Sequence, residues 1–80
     1  MDYIMTIMNG KNTYSVFAKK KVHEGSVVLS YGICIENSTD AVYVPDITTV
    51  RDIALCMVKV ISTDMIMPEK INDVIPHLVS

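Results

Sequence analysis

The chain of 80 residues has no tryptophan, one phenylalanine, three glycines, three prolines and two cysteines. Each scarcity removes a class of protein. Two cysteines, with no basic segment leading an apolar block after Asp2, do not make the disulfide framework of a secreted domain, so reduced thiols and a cytoplasmic address are expected. Cys34, Cys56, His23 and His77 do not stand at zinc-ligand spacing, and no metal or other cofactor is expected. Gly10, Gly25 and Gly32 fall in hairpin contexts, which leaves no glycine-rich loop to cradle a phosphate. No apolar run approaches the ~18 residues that cross a bilayer, because Lys59 interrupts the longest. A membrane partner is therefore not expected. Nor is there an excess of basic charge: the formal net charge is −2, so no global field draws in nucleic acid or an anionic membrane. Asn37-Ser38-Thr39 fits the glycosylation sequon, a coincidence in a cytoplasmic chain.

Half of the residues are apolar, enough for one packed domain over residues 1–80. Asp46 to Asp64 organises it. Thr49 can cap a helix, with Asp52 bonding back to it and complementing the positive end of the dipole. Val50, Ile53, Ala54, Met57, Val58, Val60 and Ile61 recur at helical spacing, leaving Arg51, Asp52, Lys59 and Ser62 to face water. Such a helix needs a large apolar surface beneath it.

The preceding residues supply one. Asn9-Gly10 is a strong hairpin signal; with those two in the loop, Met8 pairs with Lys11, Ile7 with Asn12 and Tyr3 with Val16. One face then holds Tyr3, Met5, Ile7, Tyr14 and Val16, and the other Ile4, Thr6, Thr13 and Ser15. A two-residue turn at Glu24-Gly25 pairs Val22 with Val27, Lys20 with Leu29, Val16 with Ile33 and Tyr14 with Ile35, so the apolar face continues without a break. On the reverse face Phe17 meets Gly32 and Ser15 meets Cys34, an aromatic ring covering a strand glycine. A turn over Asn37–Asp40 pairs Glu36 with Ala41, Cys34 with Tyr43 and Ile33 with Val44, and Pro45 ends the last strand. After Met65-Ile66-Met67, Pro68 and Glu69 open a second helix whose inner stripe is Ile71, Val74, Ile75 and Leu78, stopped or kinked near Ile75 by Pro76. The expected fold is α+β: a four-stranded antiparallel meander with two C-terminal helices on one face, order β-β-β-β-α-α, a two-layer sandwich.

Tyr14-Ser15-Val16, Ser30-Tyr31-Gly32-Ile33, Pro45-Asp46-Ile47-Thr48 opening a helix, and Pro68 followed by Asp73-Val74-Ile75 together resemble the short Firmicutes family known as domain of unknown function 6514. The resemblance runs from about Tyr14 to the C-terminus. Lys70-Ile71 and Pro76 depart from the family pattern. It implies a small cytoplasmic protein of a Gram-positive bacterium and carries no activity with it.

No catalytic set is expected. Cys34, His23 and Asp40 provide a nucleophile, a base and an orienting group, but the register sets His23 at a turn and Cys34 eight residues along the next strand, over ~20 Å away. Cys56, between Leu55 and Met57, reads as a structural thiol. The carboxylates have structural duties: Asp46 and Asp52 cap, Asp40 turns, and Glu69 complements a dipole.

Two surfaces remain. The reverse face of the sheet carries Phe17, Cys34 and Tyr43 with Val28 and Lys21 at its rim, which reads either as an interaction patch for a protein partner or second copy, or as rings that cover Gly32 and stiffen the sheet. Lys11, Lys19 and Lys21 could form a strip on the same face in reach of phosphates, or simply keep the hairpin soluble. Nucleic acid is the lesser of these readings, and the chain is expected to be a noncatalytic interaction or self-association module. Met65, Ile66 and Met67 form a further apolar cluster, either an adaptable surface or a connection tucked under the core.

Overall fold

Three turns reverse the chain and join four strands, β1 (Asp2–Asn9), β2 (Asn12–His23), β3 (Ser26–Glu36) and β4 (Ala41–Thr48), into one antiparallel sheet in chain order. The computed structural model describes residues 2–79, with the backbone alone for Val79. Two helices follow, α1 (Arg51–Thr63) and α2 (Ile71–Val79), the second entered through a 3-10 turn at Pro68–Lys70. Both pack on one face, so the expected two-layer α+β architecture is the observed one.

The central pairing follows the sequence reading throughout: Val22 faces Val27, Phe17 faces Gly32, Ser15 faces Cys34 and Tyr14 faces Ile35. Glu24 and Gly25 both have positive φ, as one of the two favoured two-residue hairpin turns requires. The first hairpin differs. Its loop is Gly10-Lys11 and not Asn9-Gly10, with Asn9 facing Asn12, Ile7 facing Tyr14 and Met5 facing Val16. Of the two loop residues only Gly10 has positive φ, the arrangement of a turn that asks for glycine first. Asn9 stays in the ladder and its side-chain Nδ2 donates to the Ser62 carbonyl at 2.7 Å. The displacement is two residues, so the faces are preserved up to Met5. There a bulge intervenes: Tyr3 pairs with Phe17, which makes Ile4 the extra residue. Tyr3 thereby leaves the face expected for it, and Ile4 packs against the core.

β4 pairs with β3 as expected from Glu36–Ala41 to Ile33–Val44, but Thr48 then faces Tyr31. Pro45, Asp46 and Ile47 are thus set against Gly32 alone. The strand does not end at Pro45; it bulges through it, with Asp46 at φ 57°, and resumes. Gly32 permits this: a Cβ there would lie 2.6 Å from the Val44 carbonyl oxygen, 2.8 Å from Pro45 Cα and 2.6 Å from Phe17 Cζ.

The Thr49–Asp52 capping box does not form. Val50 is the N-cap and makes no side-chain cap bond; instead Thr48 Oγ1, one residue before the expected Thr49, accepts from the Val50 N–H at 3.0 Å. Asp52 keeps its place in the first turn, where it complements the dipole. α1 buries Ala54, Met57, Val58 and Ile61, while Val50, Ile53 and Val60, on the edges of its broad apolar arc, stay half exposed. Ser62, expected to face water, is buried, because its carbonyl receives Asn9 and its hydroxyl donates to the Lys59 carbonyl at 3.0 Å. The helix ends with Ile66 N–H donating to the Ile61 carbonyl and Met65 N–H to the Ser62 carbonyl, a Schellman closure that places Met65 at φ 50°.

Tyr14, Val16, Tyr31, Ile33 and Ile35 meet Ala54, Met57, Val58 and Ile61 of α1 and Ile71 and Ile75 of α2 in the core. The Tyr14 hydroxyl donates to the Ile66 carbonyl at 2.9 Å and accepts from Asn12 Nδ2 at 3.1 Å. Those bonds pin the connection between the helices under the sheet end: Ile66 turns inward, Met65 and Met67 outward. α2 runs on through Pro76 to Val79 and does not stop at Ile75. Pro76 and Asn72 are both exposed, so the carbonyl that loses its N–H partner can reach water. The helical layer covers less of the sheet than the unbroken apolar face leads one to expect. Past the Ala18–Tyr31 pair, Val22, Val27 and Leu29 are 73%, 66% and 46% exposed.

Candidate interaction surface

On the face turned away from the helices, Phe17 in β2, Cys34 in β3 and Tyr43 in β4 come together across adjacent strands, as the β2–β3 and β3–β4 registers dictate. The β1 bulge adds Tyr3. Phe17 packs edge-on against Tyr3, ring centroids 6.4 Å apart, and tilted against Tyr43 at 6.3 Å. Phe17 and Cys34 are each only 1% exposed, whereas Tyr3 and Tyr43 are 50% and 48% exposed. The surface is therefore a pair of tyrosines held over a buried phenylalanine. Of the readings open from the sequence, covering Gly32 describes Phe17, whose ring lies over that glycine, and surface contact is left to the tyrosines.

Burial raises the Cys34 thiol above its ordinary value, an effect partly offset by hydrogen bonding to Tyr43. A thiol held neutral and covered is a poor nucleophile. Hydrogen bonding to the Tyr3 hydroxyl, with the neighbouring Cys34 charge adding to it, pushes the Tyr43 phenol up to about 12.

At the rim, Lys21 Nζ donates to both carboxylate oxygens of Asp46, at 2.9 and 3.0 Å, and Ser30 Oγ donates to Oδ1 at 2.5 Å. The Ser30 bond first, then the Lys21 bond, holds the Asp46 carboxyl below the usual carboxylate range. The expected helix-capping role of Asp46 is thus replaced by a tie between the β4 bulge and the β2–β3 ladder. Val28, facing Lys21, is half-buried.

The structure does not assemble the lysine strip. Lys11 lies in the first hairpin loop, eight residues of β2 away from Lys19, roughly 26 Å at strand rise. Lys21 is occupied by Asp46. His23 and Cys34 are likewise kept apart, His23 facing Ser26 near the turn and Cys34 facing Ser15. Among the described residues no group of three or more His, Cys, Asp or Glu side chains could hold a metal.

Cys56 departs from its expected role as a buried structural thiol. It is exposed and, with Ile53, Met57, Val60 and Leu78, lines a shallow depression of about 290 Å³ beside α1 and the end of α2. That depression and the arm of β2 and β3 beyond Ala18–Tyr31 are the apolar surfaces that sequence reasoning assigned to the interior. Tyr3 was missed for another reason: nothing in Asp2-Tyr3-Ile4-Met5 marks a bulge. No helix among the described residues is long and apolar enough to cross a membrane. No family model, characterised protein or solved structure matches this chain.

Proposed function

We propose that this is a noncatalytic protein-interaction module, acting by self-association or by docking on another protein. The observation that carries the reading is the uncovered arm: Val22, Val27 and Leu29 are apolar, adjacent through the β2–β3 pairing, and in water. Contiguous apolar surface of that kind favours contact with a partner. The Tyr3–Phe17–Tyr43 cluster on the opposite face supports the same reading, since aromatic side chains held rigid from beneath lose little freedom on binding. Val28 and Lys21 border it. Nucleic-acid binding through Lys11, Lys19 and Lys21 has less support, because those three side chains do not share one site. The cytoplasmic, Gram-positive setting implied by the family resemblance is compatible with an interaction module.

The test compares wild type with Val22→Ser/Val27→Ser and with Tyr43→Ser, all at exposed positions that leave the core intact. Oligomeric state by light scattering and binding to captured partners are the readouts. One of the two variants is expected to lose association; if both behave as wild type in every contact the protein makes, neither surface is an interface.

A further inference from the structure

The two edges of the sheet are built differently. β4 carries a proline and a bulge over Pro45–Ile47, devices that keep an edge from pairing with another chain. β1 carries neither over Met5–Asn9, where its register with β2 is regular and no residue is charged. In a two-residue hairpin the closing pair, here Asn9 and Asn12, exchanges its backbone bonds, and bonding alternates along the strand from there. Ile7 and Met5 therefore bond inward to β2, while Thr6 and Met8 aim N–H and C=O groups outward. Met8 is 76% exposed.

We infer that β1 pairs with β1 of a second copy, antiparallel about a two-fold axis at Ile7, joining two four-stranded sheets into one. The inference rests on the self-association side of the reading above, with the seam at a sheet edge and the arm and the tyrosines left for other contacts. In this register Ile7 meets Ile7 of the second copy, and Thr6 and Met8 exchange backbone bonds with its Met8 and Thr6. Met5 meets its Asn9. The whole regular segment is used.

Centring the seam on the regular segment sets that register, and charge complements it. Ile4 is the extra residue of the bulge, so Asp2, which pairs with Ala18, sits one place nearer the seam centre than its number implies. An axis at Ile7 brings Asp2 close to the end of the first hairpin of the second copy, whose loop carries Lys11, and symmetry makes the approach twice. Asp2 is the single charge of β1, and both it and Lys11 are exposed. α1 meets β1 at the Asn9 end, through the Asn9–Ser62 bond. The two-fold therefore places the two helices at opposite ends of the seam.

A dilution series followed by light scattering tests this on the full chain. Wild type is expected to be a dimer. Asp2→Lys and Lys11→Asp, each of which sets like charges together at both ends of the seam, are expected to raise the dissociation constant roughly tenfold. The double variant, which reverses both charges, restores wild-type association. Met8→Pro removes an outward N–H and no bond to β2, so it abolishes the dimer while circular dichroism shows an intact fold. A wild type that stays monomeric at the highest concentration at which it remains dissolved overturns the inference. So does a dimer indifferent to the single charge reversals and to Met8→Pro. If that indifferent dimer is lost in Val22→Ser/Val27→Ser, the interaction-module reading survives and the β1 seam does not.

Discussion

The inner and outer halves of the β2–β3 ladder have the same alternation and opposite fates. Val16, Ile33 and Ile35 are fully buried; Val22, Val27 and Leu29, on the same face and in the same two strands, stand in water. Length explains the difference. The 12 residues of β2 extend about 40 Å at strand rise, whereas the 13 residues of α1 extend only about 20 Å. α1 also spends part of that length crossing all four strands. Alternation decides which way a side chain points, and the length of the covering layer decides whether it is buried.

Substitution should separate the halves sharply. Ile33→Ala, in the covered half, is expected to cost about 2–5 kcal/mol in urea unfolding, the loss of a buried aliphatic side chain plus the cavity it leaves. Val27→Ser, in the arm, should change stability by no more than about 0.5 kcal/mol. Equal losses at the two positions would mean that something covers the arm in solution.

Gly32 sits in the covered half and tests its other face. Gly32→Ala puts a methyl group within 2.6 Å of both Phe17 and the Val44 carbonyl, and overpacking against backbone should cost about 1–3 kcal/mol in the same assay. A smaller loss would show that the β4 bulge yields easily, which would weaken the contrast drawn between the two sheet edges. Met65→Gly should act in the opposite direction. Met65 occupies the left-handed position of the Schellman closure at φ 50°, and glycine there removes strain, stabilising by up to about 1 kcal/mol. The lost packing of the Met65 side chain beside Gly10 trims the gain.

The smallest effect is spectroscopic. The Tyr43 phenol is pushed up to about 12, chiefly because of Tyr3, so ultraviolet titration should show a phenol ionising near that value and Tyr3→Phe should bring it down. The sign follows from linkage: a phenol raised in the folded state adds stability below the ordinary phenol value of about 10, lost as pH rises through about 12. If Tyr3→Phe leaves the titration unchanged, the two hydroxyls do not interact and the aromatic surface is looser than the ring geometry implies.

Much of the fold was legible from local chemistry. Glu24-Gly25 and Asn37–Asp40 each set a register that the structure keeps, because two-residue and Asx-type turns have few geometries and a slip of one residue would invert every side chain. Asn9-Gly10 misled by two residues, since Asn9 has a partner in Ser62, fifty-three residues away, that no local rule can see. The same holds for the missed cap: Thr48 and Thr49 are equally suited by type, and only the resumption of β4 past its bulge places Thr48 against the Val50 N–H. At the candidate site, the Phe17–Gly32 and Cys34–Tyr43 neighbours were readable from pairing alone, whereas their burial was not, because it depends on Tyr3 arriving through a bulge.

Composition and periodicity by themselves determined the element order, the faces of β2 and β3 and the inner stripe of α2, for these follow from side-chain spacing against a fixed backbone repeat. Tertiary structure alone decided the bulges at Ile4 and Pro45–Ile47, the exposure of the arm and of Cys56, and the contrast between the two sheet edges. Each of these turns on a distant residue or on how far one layer reaches over another, and neither quantity is written in any local stretch of chain.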